Sequence, residues 1–162
     1  MIRRAVAADL PALSAIAAAT EMFVGDELSS FVAIMEAHLA AVGRGETPPE
    51  ALIVATAGDD PATPLLGAAY FAPEVMAQGV FNLLFIGVSP TARNRRVGAA
   101  LLSAFEDAAF AAAARLAIIE TASADMFAPA WALYRRAGYE QDGRIRDFYD
   151  DGLDKIIFRK RL

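Results

Sequence analysis

Arg93, Arg95 and Arg96 fall in one run of four residues, and Gly98 follows two positions later. Their neighbours on either side differ in pattern. Phe81 to Val88 reads FNLLFIGV, apolar on both alternating faces, which suits a central strand covered on both sides. Ser89 and Pro90 end that run. From Val97 onward, Val97, Leu101, Phe105 and Ala108 recur at helical spacing and predict an inward face. A strand, a tight loop and a helix in that order can hold an anion. The first N–H groups of a helix have no partner within it, and the aligned peptide dipoles add partial positive charge there. A phosphate satisfies both. Here three guanidinium groups stand beside that end, and Gly98 permits close approach to the backbone.

Composition removes several other chemistries. The net charge is −5, with 20 acidic against 15 basic residues, the reverse of what a general nucleic-acid binder shows. There is no Cys, so disulfides, Cys-ligated metals and thiol nucleophiles are excluded. The single His, His38, excludes a His-based metal cluster, and a Ser-His-Asp triad anywhere but around itself. It lies on the edge of an apolar helical stripe and reads first as a flank residue, second as a substrate contact. No metal constellation is expected.

The elements that must position the loop can be read in order. At 162 residues the chain fits one domain, 1–162, large enough to bury roughly 70% of its unfolded surface. Arg3 and Arg4 precede an Ala-rich stretch, but Asp9 and Pro11 interrupt what a signal peptide would need as a continuous apolar core. No later stretch approaches the ~20 apolar residues of a membrane span. The expectation is a cytoplasmic protein without a membrane or nucleic-acid partner. Ile2 to Val6 predicts a short strand. Asp9 and Pro11 open a helix through Thr20, with Asp9 accepting early N–H bonds. Gly25 and Asp26 break the chain. A second helix carries Leu28, Phe31, Val32, Met35, Leu39 and Val42 on one side until Gly43 and Gly45. Ala51 to Ala57 and Leu65 to Phe71 read as an antiparallel pair around the turn signal Gly58-Asp59-Asp60-Pro61. Leu116 to Thr121 is a buried strand. A helix separates it from the Phe81–Val88 strand, so the two should run parallel. A helix from Phe127 to Ala137, closed by Gly138, precedes a final antiparallel pair, Tyr139 to Ile145 and Leu153 to Lys160.

The run V-S-P-T-A-R-N-R-R-V-G-A-A-L-L, from Val88 to Leu102, resembles the acetyl-CoA signature of GNAT-type N-acetyltransferases, written Q/R-x-x-G-x-G/A. Arg93 takes the first position and Gly98 the last; Arg96 stands where the family usually has its first Gly. Downstream, A-W-A-L-Y-R-R-A-G-Y, Ala130 to Tyr139, is similar to the family's A-x-x-L-Y-x-x-x-G-F/Y. Two motifs in order, joined by helix and strand, are more specific than either alone. Phe127 occupies the place where many members carry Asn.

The resemblance implies an α/β (α+β) GNAT fold: a mixed sheet of about six or seven strands with a parallel, splayed central pair, flanked by about four helices. It implies an enzyme that moves an acetyl group from acetyl-CoA to a primary amine of a small molecule or peptide. The cofactor would be held by Arg93, Asn94, Arg95, Arg96, Val97, Gly98, Ala99 and Ala100 at its diphosphate. Backbone near Ile86 and Val88 would hold its acyl and pantetheine parts, and Phe127 would lie at its pantetheine arm or its adenine end. The thioester is implied between the central strand and Leu116–Thr121, where the two splay apart. Transfer needs a neutral amine and a proton for the leaving thiolate, whose thiol has a pKa of about 8.5. In the family a Tyr at the position of Tyr134 is commonly that acid. Holding both reactants in line can supply on the order of 7–11 kcal/mol.

Glu120 is either a general base or a hydrogen-bonded structural carboxylate. Asn82, Asp125, Asp147 and Tyr149 are candidates for the acceptor side, and the Thr20–Leu28 segment for acceptor choice. Dimers are frequent among relatives, so a homodimer is an expectation too. The alternative reading is a module of the same fold that holds or senses acyl-CoA without turnover, motivated by Arg96 and Phe127.

Overall fold

Seven strands and four helices alternate along the chain in the computed structural model, which describes residues 1–58 and 63–162. They are β1 (Ile2–Arg4), α1 (Leu10–Ala18), α2 (Glu27–Gly43), β2 (Ala51–Thr56), β3 (Leu65–Pro73), β4 (Val80–Val88), α3 (Val97–Ala111), β5 (Leu116–Ala122), α4 (Ala128–Arg136), β6 (Glu140–Asp150) and β7 (Leu153–Arg161). The strands form one mixed sheet in the order β1-β2-β3-β4-β5-β7-β6. The expected fold class is therefore the observed one. The turn predicted at 58–61 lies, from residue 59, outside the described residues. No helix among the described residues is long and apolar enough to cross a membrane.

The chain divides into two compact units, Met1–Phe71 with Phe85–Ala104, and Ala72–Leu84 with Phe105–Leu162. In the first, β2 pairs antiparallel with β3, as the turn signal between them predicted, and also with β1. Leu13, Ile16 and Ala17 of α1 and Phe31, Met35 and Leu39 of α2 form a core with Leu52, Val54, Ala68, Tyr70 and Phe85. The centre of that core is aromatic, with Phe31 4.9 Å from Phe85 and 5.0 Å from Phe23. Burying each such ring contributes on the order of 1.5–3 kcal/mol.

Two local details differ from expectation. The Asp9 side chain does not cap α1. Its carboxylate takes two hydrogen bonds from Arg3, at 2.7 and 2.9 Å, and one from the Val6 N–H at 2.8 Å. Asp9 holds the N-cap position of α1, but the 3-10 turn Ala7–Asp9 leaves its backbone helical, at φ −79° and ψ −16°, and its carboxylate reaches back to Val6 and Arg3 instead of forward. The inward stripe of α3 also drifts. Ala109 is buried and Ala108 is not, because the stripe advances by four residues after Phe105 rather than by three.

Close packing across β3 and β4 rests on two glycines. A Cβ on Gly67 would stand 2.7 Å from the Gly87 carbonyl and 3.0 Å from both Val97 and Leu101. A Cβ on Gly87 would stand 2.6 Å from the Phe85 ring. Only hydrogen fits at Gly67, whose neighbour is backbone, whereas at Gly87 the Phe85 ring and Ile16 would have to shift.

In the second unit β4 and β5 run parallel, with Val80–Leu83 opposite Leu116–Ile119. β7 lies inside, between β5 and β6, antiparallel to both. Its residues alternate, Asp154, Ile156 and Phe158 being buried. β6 is the edge strand and is exposed along most of its length. Its Glu140, Asp142 and Arg144 keep that edge charged, which discourages edge-to-edge pairing. Glu106 of α3 meets Lys160 of β7 at 2.7 Å.

Two outcomes test these packing statements. Gly67→Ala should lower the unfolding free energy by about 1–3 kcal/mol in urea titration, since the clashing carbonyl is backbone and cannot rotate away. An unchanged midpoint would show that the strands can part. The Arg3 hydrogen bond holds the Asp9 carboxyl below its ordinary value near 3.8, against the opposing effect of desolvation. A depressed folded value means stability that is present above about pH 4 and lost as pH falls through it. The stability gap between wild type and Asp9→Asn should therefore shrink on acidification below about pH 4; a gap independent of pH there would contradict the assignment.

Candidate active site

The arginine loop is built in steps. β4 ends at Val88, and Ser89 N–H bonds the Leu66 carbonyl at 2.9 Å, tying the strand end to β3. A 3-10 turn, Pro90–Ala92, follows, with the Ala92 N–H donating to the Ser89 carbonyl at 2.8 Å. Ala92 is fully buried and anchors the turn. Arg93 is extended, at φ −60° and ψ 152°. Asn94 and Arg96 are left-handed, at φ +61° and +62°. α3 then starts at Val97, and the Ala100 N–H donates to the Arg96 carbonyl at 3.0 Å. The N–H groups of Val97, Gly98 and Ala99 precede that bond and have no carbonyl one turn behind them within the helix.

The side chains of 93–96 are exposed. Arg93 donates to the Ala19 carbonyl at 3.1 Å, at the C-terminal end of α1, where a cation suits the helix dipole. That contact uses one of five guanidinium donors and leaves the others. Among the described residues Arg95 and Arg96 make no ion pair. The left-handed φ of Arg96 is the physical content of its departure from the signature. An ordinary backbone would have made Arg equivalent to Gly there. Instead an L-residue in this region costs roughly 1–2 kcal/mol, which glycine avoids. Asn94 tolerates the same region better. Ile86 and Val88 are half-buried on β4, and Val97 is buried against β3.

In the other unit Tyr134 sits in α4 and is 4% exposed. Its ring meets Phe158 edge-on at 5.5 Å and Tyr139 at 6.3 Å. Burial pushes its phenol well above the ordinary value of 10, so the hydroxyl keeps its proton. Gly138, at φ +90°, lets the chain turn so that the Tyr139 N–H reaches the Tyr134 carbonyl at 3.0 Å. The Tyr139 phenol is also raised, first by burial and then by the Glu106 carboxylate, although its O–H meets no acceptor in ordinary hydrogen-bond geometry. Phe127 immediately precedes α4 and is half-buried.

Glu120 lies on β5, one residue past Ile119, the last residue paired with β4. Beyond the pairing, Leu84 of β4 is 48% exposed. Glu120 Oε2 takes a hydrogen bond from Lys155 at 3.0 Å. Of the acceptor-side candidates, Asn82 is buried, and its Nδ2 donates to Glu74 at 3.2 Å while its Oδ1 has no hydrogen-bond partner among the described residues. Asp147 accepts the Gly152 N–H at 2.8 Å and holds the β6–β7 turn together. Asp125 lines an open pocket of about 240 Å³ with Trp131, Arg135 and Arg144. Tyr149 is 47% exposed and sits on Phe148 edge-on at 4.9 Å. In the Thr20–Leu28 segment, Phe23 is anchored in the aromatic core.

His38 is buried rather than at a stripe edge, and it is not alone. Its Nδ1 is 3.6 Å from Glu50, and its ring meets Tyr70 edge-on. Sequence reasoning missed Lys155 and Asp154. Asp154 accepts the Asp147 N–H at 2.9 Å and pairs with Arg144. An acid at an inward position of an alternating strand was the available signal.

A family model described as the acetyltransferase (GNAT) family matches residues 16–139. No curated protein matches the sequence. A solved protein from Desulfovibrio desulfuricans, described as belonging to the GNAT family, is similar at 26% identity and TM-score 0.87, over 99% of this chain and 98% of that one. A ribosomal-protein-alanine N-acetyltransferase from Brucella melitensis shares the fold at 23% identity and TM-score 0.75, over 100% and 99%. So does a phosphinothricin acetyltransferase from Sinorhizobium meliloti, solved with acetyl-CoA, at 22% identity and TM-score 0.75, over 100% and 88%.

Arg96→Gly should raise the unfolding free energy by up to about 1 kcal/mol, the relief of the left-handed backbone less the added chain entropy. Urea denaturation reads this. A loss of stability would mean that the Arg96 side chain offsets its own backbone cost.

Proposed function

Since the chain belongs to the acetyltransferase (GNAT) family, we propose that it moves an acetyl group from acetyl-CoA to a primary amine of a small molecule or peptide. The observation that carries this reading is the start of α3, where N–H groups without helical partners stand behind a bent, arginine-rich loop. Unpartnered N–H groups beside guanidinium groups suit a diphosphate, which supports this reading. The acetyl-CoA complex of the Sinorhizobium protein supports the choice of ligand. The Brucella protein's alanine acceptor and the Sinorhizobium protein's phosphinothricin support both acceptor classes.

In this mechanism residues 93–100 hold the diphosphate, with Arg95 and Arg96 adding charge. Backbone near Ile86 and Val88 takes the acyl and pantetheine groups, and Phe127 packs along the arm. The acceptor arrives as an ammonium and gives one proton to Glu120, the candidate base. The neutral nitrogen attacks the thioester carbon. The C–N bond forms, the C–S bond breaks, and its electron pair goes to sulfur. Tyr134 gives its phenolic proton to that sulfur, and the second proton released by the nitrogen restores the phenol. Of the two protons that the ammonium loses, one ends on the thiol and one passes through Glu120 to solvent. Burial raises the Tyr134 phenol and so weakens it as a donor, which is why its transfer to sulfur is coupled to the proton that the nitrogen returns.

Acetyl-CoA should bind in calorimetry, and thiol release should follow with at least one of an alanine-initiated hexapeptide, phosphinothricin or spermidine. Tyr134→Phe should lower kcat about 10²-fold while leaving the acetyl-CoA Kd unchanged. Equal loss of both would make Tyr134 a packing residue. The strained Arg96 favours the second reading, a module that holds acyl-CoA without turnover. Binding without thiol release from any of the three amines would establish it in place of the first.

A further inference from the structure

Lys155 is an unusual lysine. It stands on the interior strand β7, opposite Ala122 of β5 and Ile145 of β6. Its side chain is only 13% exposed. The ammonium lies 3.8 Å from the centre of the Phe148 ring, 5.9 Å from that of Tyr149, and 3.0 Å from Glu120 Oε2. Glu120 is opposite Ile157, two residues along β7 from Lys155, so the two charges share one face of the sheet as diagonal neighbours. The two aromatic residues are themselves about half exposed, at 49% and 47%. They belong to the stretch where the β6–β7 register shifts between Ile145 and Asp150. The bulge folds Phe148 over the lysine, and Asp154 pins it through the Asp147 N–H.

Exposed ion pairs add little to stability, and ordering a long lysine side chain is unfavourable in entropy. A lysine held on both sides therefore does something more specific than stabilise. Here it fixes one oxygen of a carboxylate. The other, Oε1, makes no hydrogen bond among the described residues, and Glu120 stays one-third exposed. That carboxylate sits just where β5 continues beyond its pairing with β4.

We propose that Lys155 is a positioning residue for the transfer reaction: seated on Phe148, it holds Glu120 Oε2 so that Oε1 alone is presented to the ammonium of a cationic acceptor. This rests on the reading of Glu120 as the base. It also narrows the acceptor to an amine that arrives protonated, because a fixed carboxylate oxygen recognises an N–H donor and repels an anionic group placed beside it. Lys155 takes no proton in the cycle; the amine's proton goes to Glu120 Oε1 and on to solvent.

Two measurements decide this. Lys155 and Lys160 are the only lysines in the chain. In the ligand-free protein labelled with 13C-lysine, the Lys155 Hε signals should stand upfield of those of the same protein unfolded in urea, under the ring current of Phe148. Phe148→Leu should remove most of that shift. An unshifted Lys155 signal in wild type overturns the proposal whatever the acceptor. With the panel amine that gives the fastest thiol release, Lys155→Met should lower kcat/KM about 10-fold, mainly in kcat, with acetyl-CoA binding unchanged in calorimetry. Lys155→Arg should recover most of the loss. Glu120→Gln should cost about 10²-fold, and adding Lys155→Met to it should cost nothing further. If Glu120→Gln is harmless, the base reading falls and takes this proposal with it. If Glu120→Gln is costly while Lys155→Met is harmless, or the two losses multiply as independent effects, the proposal alone is wrong.

Discussion

A helix that starts a few residues after a buried strand ends leaves backbone donors that nothing in the helix can satisfy. That constraint organises the first unit around α3. The Ser89 tie to β3 fixes where β4 stops, buried Ala92 fixes the turn, and two left-handed residues reverse the chain into Val97. Each step is forced by the one before. β3 must come close enough for Gly67 to face the Gly87 carbonyl, and α3 must lie against both strands for Val97 and Leu101 to close on Gly67. A bulkier residue at Gly67 would push back the helix whose first turn carries the donors. The unpartnered donors of α3 and the sheet packing are thus one structural problem.

The second unit solves a different one. Its helix α4 is short and not strongly apolar, so its place depends on one buried ring. Tyr134 meets Phe158 at 5.5 Å, and Phe158 is wholly buried on the interior strand β7. The same strand carries Asp154 on one face and Lys155 on the other, so the turn of the β6–β7 pair and the Glu120 carboxylate are both governed from β7. Lys160 adds a third tie, to Glu106 of α3. A strand that lies inside the sheet but follows β6 in sequence makes the unit cohere only once β7 is in place.

These two halves were not equally legible. Period and punctuation located every strand and helix, because runs such as LAIIET and FNLLFIGV are unambiguous and Gly138 ends a helix in the ordinary way. The parallel pairing of β4 and β5 followed from the helix between them. What escaped was side-chain partnership across long separations in sequence. His38 with Glu50 and Glu120 with Lys155 have no local signature, since each pair is joined by the fold and not by spacing. Asp9 was misread for the opposite reason. Its local context fits a helix cap, but Arg3 lies close enough to claim both carboxylate oxygens, and a bidentate charged bond outweighs a neutral backbone one. The contact of Phe148 with Lys155 was hidden because Phe148 stands beside a turn, where an aromatic gives no periodic signal.

Arg96 shows how a departure from a motif can be informative once its backbone is known. Glycine is favoured where φ is positive because no Cβ meets the following carbonyl. An arginine retained in that conformation carries a standing cost of roughly 1–2 kcal/mol, so the loop shape itself is what the fold enforces. The alternative, relaxing Arg96 to an ordinary φ, would swing Val97 out of line and withdraw its methyl from Gly67. A loss of packing there would exceed the backbone strain, since a buried valine is worth on the order of 1.5–3 kcal/mol. The strained residue is therefore kept by the packing on its C-terminal side, and its charge is carried to the start of α3 as a consequence.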